Sequence, residues 1–217
     1  MRRLERTILL CALLLASTAA PGRSLEELER ALARTPPVTT TFVEYRFSRL
    51  LRKPLRTSGS LEYRSDGVLA RNVDSSYHEV TEVDGDVVRI TRGEKPTRTI
   101  SLERAPQLRV ILASFRALLD GRLTPLQSDF EITLSEQDAR WTLTLKPREP
   151  RLARQLTRID VYGAGDRPAC VEALEPDGDG ALTWLGEVPP SDASLDRAGL
   201  EQQCRGSTAG TAAAGQK

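Results

Sequence analysis

Histidine is almost absent from this 217-residue sequence, which excludes several kinds of catalytic and metal site. His78 is the single histidine, and the chain contains no Gly-x-Ser-x-Gly nucleophile elbow of the kind that many serine hydrolases use. No two cysteines have the close spacing of a zinc site. We therefore interpret His78 as a surface residue and expect no catalytic site, no cofactor and no metal.

The sequence also lacks an excess of charge of either sign, with 31 basic and 30 acidic residues. Without the first 20 residues, which hold three arginines and one glutamate, 28 basic and 29 acidic residues remain. Proteins that bind nucleic acid or an anionic membrane through their net charge carry a basic excess. The balance therefore gives no indication of a nucleic-acid partner or of a membrane-binding surface.

The apolar run near the N-terminus is short. It covers residues 8–16, follows three arginines and precedes the small residues 17–20. A run of about 9 residues is well below the roughly 20 that span a bilayer, and the pattern is typical of a secretory signal peptide. We predict a signal peptide over residues 1–20, with cleavage near Ala20, and hence a periplasmic protein of a Gram-negative bacterium.

Cysteine is scarce, with three residues in the whole chain. Cys11 falls within the predicted signal peptide, so Cys170 and Cys204 remain. In an oxidising compartment these two are candidates for a disulfide. Two free thiols are the alternative, because nothing in the sequence shows that the two residues meet.

Two helices are predicted from apolar residues with helical spacing. Leucines recur on one face after Ser24, which forms a capping-box pattern with Glu27, and the prolines at Pro36 and Pro37 end this helix. A second apolar stripe runs through residues 105–119. Gly121 follows it as the residue that closes the helix in a left-handed conformation.

Short segments with alternating apolar and polar residues occupy most of the rest of the chain, which is typical of half-buried strands. Turn sequences separate several of them, as at Asp84-Gly85-Asp86, and such short connections favour an antiparallel meander. The predicted strands cover residues 39–48, 58–64, 68–73, 79–83, 87–91, 97–102, 130–135, 140–145, 155–162, 169–175 and 181–185.

These elements predict a mainly β fold with helices. The fold is a curled antiparallel sheet of about eleven strands, an incomplete barrel, because one sheet of that size must twist and curl. The N-terminal helix and the mid-chain helix would cover its concave apolar face. We predict one domain over residues 21–190, followed by a flexible tail over residues 191–217. The tail becomes rich in alanine, glycine, serine and threonine toward its end.

One acidic segment has two interpretations. Asp177-Gly178-Asp179-Gly180 presents alternating carboxylates, as calcium-binding loops do. No bidentate glutamate follows at the required distance, and a strand comes next in the sequence. The segment is therefore better interpreted as a hairpin turn.

Four segments of the chain, in this order, resemble the LolA family of outer-membrane lipoprotein carriers. The resemblance extends over residues 25–188, and it rests on the order and spacing of the motifs. It implies a carrier without enzymatic activity, a monomer that receives its cargo from an inner-membrane releasing complex and delivers it to an outer-membrane acceptor. The matching segments are Phe42-Val43-Glu44, Gly59-Ser60-Leu61, Val83-Asp84-Gly85-Asp86 and Trp141-x-Leu143-x-Leu145-x-Pro147.

The sequence departs from the family after its second strand, where the family's proline and tryptophan are missing. Arg71 lies one position from the family arginine that fastens the helical lid in the closed form. The resemblance thus gives Arg71 only a doubtful role in fastening a lid. It also suggests a divergent member whose cargo is a lipoprotein, a free acyl lipid or a lipid-linked pigment.

A carrier of acyl chains needs a dry concavity lined by apolar side chains. Ten strand residues and four residues of the mid-chain helix are the candidates for this lining. Two alternatives stay open, namely a static periplasmic interaction module with a filled core, and an exported enzyme. The candidate cavity residues are Val43, Tyr45, Phe47, Leu61, Tyr63, Val88, Ile90, Trp141, Leu143 and Leu145 on strands, and Ile111, Leu112, Phe115 and Leu119 on the helix.

Overall fold

The computed structural model describes residues 22–104, 106–186 and 196–206. The predicted signal peptide and residues 191–195 and 207–217 of the predicted tail lie outside the described residues. Short 3-10 helices at Leu102–Arg104 and Thr124–Ser128 flank the helix α2. The elements are α1 (Leu25–Leu32), β1 (Val38–Phe47), β2 (Leu55–Tyr63), β3 (Leu69–Val73), β4 (Glu79–Asp84), β5 (Val87–Arg92), β6 (Arg98–Ser101), α2 (Pro106–Asp120), β7 (Phe130–Gln137), β8 (Arg140–Pro147), α3 (Pro150–Ala153), β9 (Arg158–Ala164), β10 (Arg167–Leu174), β11 (Gly180–Leu185) and α4 (Arg197–Gly206).

The strands form a single antiparallel sheet of eleven strands in the order β6-β5-β4-β3-β2-β1-β11-β10-β9-β8-β7. Strands that follow one another in the sequence pair with each other, except β6 and β7. In addition, β1 pairs with β11 and thereby joins two meanders. Strands β6 and β7 form the two edges, so the sheet stays open. The predicted curled, mainly β fold is confirmed.

Helix α2 lies in the connection between the two edge strands. A flat sheet of eleven strands would separate its edges by about 48 Å at about 4.8 Å per strand spacing, whereas a 15-residue helix is about 22 Å long. Residues 102–129 therefore connect the edges most economically when the sheet curls and α2 crosses its concave face. Ala117 and Leu118 of α2 pack into the core on that face.

The concave face is continuous because the cross-strand register keeps one set of side chains on one side. Leu143 lies opposite Val161, Val161 opposite Val171, and Val171 opposite Thr183. Over β7–β10 this face is filled by side chains from both principal helices. The buried core there includes Leu28, Leu32, Ala117, Leu118, Leu123, Phe130, Trp141, Leu143, Leu145, Ile159 and Val161.

Helix α1 begins as the sequence predicts. The Ser24 Oγ accepts a hydrogen bond from the Glu27 amide at 3.2 Å, and the Glu27 carboxylate accepts one from the Ser24 amide at 2.8 Å. Both bonds satisfy amides that the first helical turn leaves without partners. Leu28 and Leu32 are buried against the sheet and α2.

Gly121 ends α2 in the predicted left-handed conformation, with φ of +69°. The Arg122 amide donates to the Ala117 carbonyl at 3.0 Å, which is the hydrogen bond of a Schellman motif. A Cβ at position 121 would lie 2.4 Å from the Ala33 nitrogen. Glycine at this position thus lets the end of α2 approach the end of α1.

A second apolar cluster covers the convex face, where α4 packs on the last three strands. Leu200 and Cys204 of α4 contact this cluster, and Cys204 forms a disulfide with Cys170 of β10. The helix was not predicted, because residues 191–217 were expected to form a flexible tail. A short polar helix has little signal of its own, and here it is held by the disulfide and by two buried residues.

A polar network accompanies α4 on the convex face. The Tyr162 hydroxyl donates to the Glu172 carboxylate at 2.9 Å, and Arg205 of α4 lies 3.7 Å from the same carboxylate. Burial, and then the negative charge of Glu172, raise the pKa of the Tyr162 hydroxyl. The hydroxyl therefore stays protonated and keeps donating, which leaves the buried carboxylate with a partner.

The segment Asp177-Gly178-Asp179-Gly180 forms a hairpin turn between β10 and β11. The Gly178 amide donates to the Glu175 carbonyl at 3.1 Å, and Gly178 has a φ of +86° that favours glycine. Asp179 accepts hydrogen bonds from Ser48 and from the Arg49 amide. The turn interpretation is therefore confirmed.

Removal of the disulfide should destabilise the domain. We expect the Cys170→Ala/Cys204→Ala variant to lose about 2–4 kcal/mol of unfolding free energy, because the bond closes a chain segment of 34 residues. Urea unfolding followed by circular dichroism measures the loss. Reductant should lower the unfolding midpoint of the parent protein and leave that of the variant unchanged. Equal midpoints for parent and variant would contradict the prediction.

Candidate functional site

A cavity of about 170 Å³ lies between α2 and the concave face of the sheet. Its walls come from β1–β4, β10, β11 and α2. The strand residues share one face, since Phe42 is opposite Leu185 and Arg71 is opposite both Leu61 and Thr81. The lining residues are Phe42, Glu44, Leu61, Leu69, Arg71, Thr81, Val83, Leu112, Leu118, Leu119, Val171, Thr183 and Leu185.

The cavity lies where α2 is only partly packed against the sheet, since Leu112 and Leu119 are half-buried whereas Ala117 and Leu118 are buried. Thr81, Val83 and Thr183 line it, whereas the filled half over β8 carries Trp141 and Leu143. Helix α2 spans both halves, packs closely on the filled half and leaves space above the half over β1–β4. The two halves thus provide a support for the helix and a hollow beneath it.

The size of the cavity limits what it accepts in this arrangement. A dry apolar cavity of about 150 Å³ takes a benzene-sized ligand, and sites for whole drug-sized ligands have about 300–1,000 Å³. The volume of about 170 Å³ therefore suits only part of a long hydrocarbon chain. A longer ligand requires α2 to move away from the sheet.

One charged pair lies within the otherwise apolar wall. The Arg71 Nη2 donates to Glu44 Oε1 at 3.2 Å, and the Thr183 hydroxyl donates to Glu44 Oε2 at 3.4 Å. The side chains of Arg71 and Glu44 are 26% and 23% exposed. The Arg71 guanidinium also stacks on the Phe42 ring, 4.6 Å from its centroid. A guanidinium has five N–H donors, so the pair can still donate to a ligand oxygen.

Arg116 attaches α2 to the sheet. Its Nε and Nη2 both donate to the Tyr63 hydroxyl, at 3.1 and 2.9 Å. Arg116 follows Leu112 by four residues and precedes Leu119 by three, so the three residues lie on one helical face. A charged residue within an apolar stripe was a sequence signal for such a contact, and sequence reasoning missed it.

Arg71 lies on the floor of the cavity. The contacts that the structure gives it are with Glu44 and Phe42 in the sheet. The expected role in fastening a lid therefore has no support from these contacts. Arg116 makes the connection between helix and sheet instead.

Several predicted cavity residues do line this hollow or lie beside it. Leu61, Leu112 and Leu119 line it directly. Tyr63 lies two residues from Leu61 on the same strand face, and Val88 and Ile90 are opposite the lining residues Val83 and Thr81. Trp141, Leu143 and Leu145 lie on the concave face but in its filled half.

The prediction for β1 selected the wrong face. Phe47 packs into the convex cluster with Tyr45 against it, and the Tyr45 ring is 5.7 Å from the Trp184 ring. Val43 lies on the same face of β1 as Tyr45 and Phe47 and is also buried. The reason is that β1 is covered on both faces, so alternation alone does not identify the concave one. The side chains of Ile111 and Phe115 lie outside the described residues.

Other lining residues were missed because the local sequence does not show that they face the cavity. Glu44 and Thr183 are polar, and their position becomes meaningful only when β1 pairs with β11. The missed residues are Phe42, Glu44, Leu69, Thr81, Val83, Leu118, Val171, Thr183 and Leu185.

The Tyr63→Phe variant should loosen α2. It removes the hydroxyl that accepts both Arg116 hydrogen bonds and keeps the ring, so we expect a loss of about 1 kcal/mol in stability and faster amide exchange in α2. Hydrogen–deuterium exchange measures the effect. Tyr45→Phe, on the convex face, is the matched control and should leave exchange in α2 unchanged. Equal exchange in both variants would show that this contact does not hold the helix.

Within the described parts of the chain, no helix is long and apolar enough to cross a membrane. Among the same residues, no three His, Cys, Asp or Glu side chains form a group that could hold a metal ion.

Three solved structures to which this chain is similar share little sequence with it. A LolA superfamily protein from Nitrosomonas europaea is 8% identical, with a TM-score of 0.40 over 79% of this chain and 96% of that chain. LprF from Mycobacterium bovis is 11% identical, with a TM-score of 0.35 over 79% and 94%. A chain of the Pseudomonas aeruginosa MucA/MucB complex is 15% identical, with a TM-score of 0.33 over 80% of this chain and 61% of that chain. Similarity this low carries no functional inference.

Comparison of the sequence with protein families is decisive. No curated protein matches the sequence significantly. Residues 19–213 match the family described as outer membrane lipoprotein carrier protein LolA-like, which covers nearly the whole chain. With its open sheet of eleven strands and its helices, the chain belongs to the LolA-like family.

Proposed function

We propose that this protein is a periplasmic carrier that shields the acyl chains of a lipoprotein or another lipidic cargo and hands the cargo on toward the outer membrane. The observation that carries the proposal is the apolar cavity between the concave sheet and α2. Membership of the LolA-like family supports it, since the family is described as a carrier of outer-membrane lipoproteins.

The driving force for such binding is the removal of hydrocarbon from water. Each buried methylene contributes about 0.8 kcal/mol, so a single acyl chain offsets the cost of a modest rearrangement. Part of the chain enters the existing hollow between Leu61 and Leu119. Displacement of α2 then makes room for the remainder, and the return of α2 favours release.

The Glu44–Arg71 pair places one polar binding site in the wall of the cavity. An acyl chain on a lipoprotein or phospholipid ends in an ester or amide carbonyl, which accepts hydrogen bonds. We propose that Arg71 donates to that carbonyl while Glu44 and Phe42 hold the guanidinium in place. This pair would fix how deeply the chain enters.

The function implies partners that load and unload the carrier. An inner-membrane releasing complex and an outer-membrane acceptor are the expected partners, in the periplasm, and the carrier acts without covalent chemistry. A static interaction module is the second candidate. It is favoured by the filled half of the concave face, where Leu143 and Leu145 are completely buried.

Filling the cavity should abolish lipid uptake and preserve the fold. In the Thr81→Leu/Val83→Phe variant, the added side-chain volume occupies the hollow, and we expect at least about tenfold weaker binding of a fluorescent fatty acid with an unchanged thermal unfolding midpoint. Val80→Phe is the matched control, because Val80 lies on the same strand but points to the opposite face. A carrier is excluded if the parent binds no acyl probe, or if the filled variant binds it equally well.

The charged pair should distinguish ligands with a polar end from plain hydrocarbons. We expect Glu44→Gln/Arg71→Met to weaken binding of a fatty-acid methyl ester about tenfold, because a hydrogen bond from a charged donor is lost. Binding of the apolar probe diphenylhexatriene should stay within about twofold, since its transfer depends on apolar area alone. Replacing both partners avoids an unpaired buried charge. Equal losses for both ligands would assign the pair a structural role.

A further inference from the structure

The loop between β1 and β2, residues 48–54, exposes apolar side chains at its tip. Leu50 is 93% exposed and Leu51 is 44% exposed, and Leu55 at the start of β2 is 40% exposed. Single exposed apolar residues are ordinary on protein surfaces. Here three of the four exposed large hydrophobic residues in the described regions lie within six positions of one another. Such clustering indicates a contact surface.

The tip is held in place by hydrogen bonds at its base. The Ser48 hydroxyl and the Arg49 amide donate to the two carboxylate oxygens of Asp179, at 2.7 and 2.9 Å. The Leu51 amide donates to the Ser48 carbonyl at 2.9 Å, which closes a turn with Leu50 at its apex. Leu50 is therefore presented to solvent by an ordered turn, and little conformational entropy is lost when it binds.

Basic residues surround this apolar tip. Arg52 and Lys53 are exposed and have no ion pair with any residue in the described ranges, whereas Arg49 pairs with Asp177 and Asp179. Behind the loop, a groove of about 310 Å³ is lined by Phe47, Ser48, Arg49, Leu51, Arg52, Lys53, Pro54, Gly178, Asp179, Asp196 and Arg197. Among the basic residues of the groove, Arg197 pairs with Glu201 as Arg49 does with its aspartates, so Arg52 and Lys53 supply the uncompensated positive charge in the described ranges.

We infer that this loop docks the protein on an anionic phospholipid surface. Leu50 and Leu51 enter the boundary between head groups and acyl chains, and Arg52 and Lys53 contact lipid phosphates. A stable protein interface usually covers about 800 Å² on each partner, which is much more than a turn of seven residues offers. A lipid surface needs only a few inserted apolar side chains with nearby positive charge. The local basic charge therefore favours anionic lipid as the partner.

Docking through this loop would place one end of the cavity near the bilayer. The loop follows β1 directly, and Glu44 lies four residues before Ser48, which corresponds to about 13 Å along an extended strand. The inference does not depend on the carrier function, because a protein with an empty cavity would dock in the same way.

Vesicle flotation tests the inference with the mature full-length chain. We expect the protein to float with vesicles of phosphatidylglycerol and phosphatidylcholine, less with phosphatidylcholine alone, and less at 500 mM than at about 50 mM salt. Leu50→Ser/Leu51→Ser should lower the partition coefficient at least about tenfold. Val80→Ser, which alters an exposed apolar residue elsewhere, should leave it unchanged.

The charged residues are tested in parallel. Each basic residue near an anionic surface strengthens binding about fivefold. We therefore expect Arg52→Glu/Lys53→Glu, which removes two of them, to weaken binding to anionic vesicles by more than about tenfold. Arg151→Glu/Arg154→Glu, a matched reversal of two exposed arginines, should have a smaller effect. Thr81→Leu/Val83→Phe should still float, which separates docking from lipid uptake. The inference is overturned if the parent protein does not float with anionic vesicles. It is equally overturned if the loop variants float as well as the parent.

Discussion

The pairing of β1 with β11 is the interaction on which the rest of the structure depends. It joins the meander β1–β6 to the meander β7–β11, so that the first and last strands of the chain lie side by side at the centre of one sheet. Because the register is continuous across this junction, one face carries the lining of the cavity and the filled core together. The pairing also makes β6 and β7 the edges, and the connection that contains α2 then crosses the concave face.

The two halves of the concave face have different roles, one as a packed core and the other as the floor of the cavity. The half over β8–β10 buries Leu28, Leu118 and Leu143 and supports both principal helices. The half over β1–β4, together with β11, leaves the hollow that α2 covers. The helix is thus firmly packed at one side, whereas at the other side Arg116 connects it to Tyr63 by hydrogen bonds. Such an attachment contributes about 1 kcal/mol, which is compatible with displacement by a ligand.

Much of the fold followed from local sequence patterns. The Ser24–Glu27 capping box and Gly121 marked helix boundaries that the structure reproduces, and the alternating segments gave eleven strands. The face of β1 did not follow, because Phe42 and Val43 are both buried and only the pairing with β11 decides which one faces the hollow. Glu44 and Thr183 were missed for the same reason. Helix α4 was missed because it is short and polar, with only Leu200 and Cys204 buried, so its sequence has little helical pattern.

The central claim is that the hollow beneath α2 receives a hydrocarbon chain. A crystal structure of the protein saturated with a long-chain acyl ligand tests it most directly. The account predicts continuous density for the chain between Leu61 and Leu119, with α2 moved away from the sheet and the ligand carbonyl within hydrogen-bonding distance of Arg71. Density for the ligand only outside the sheet, with α2 in its present position and the hollow unchanged, would contradict it.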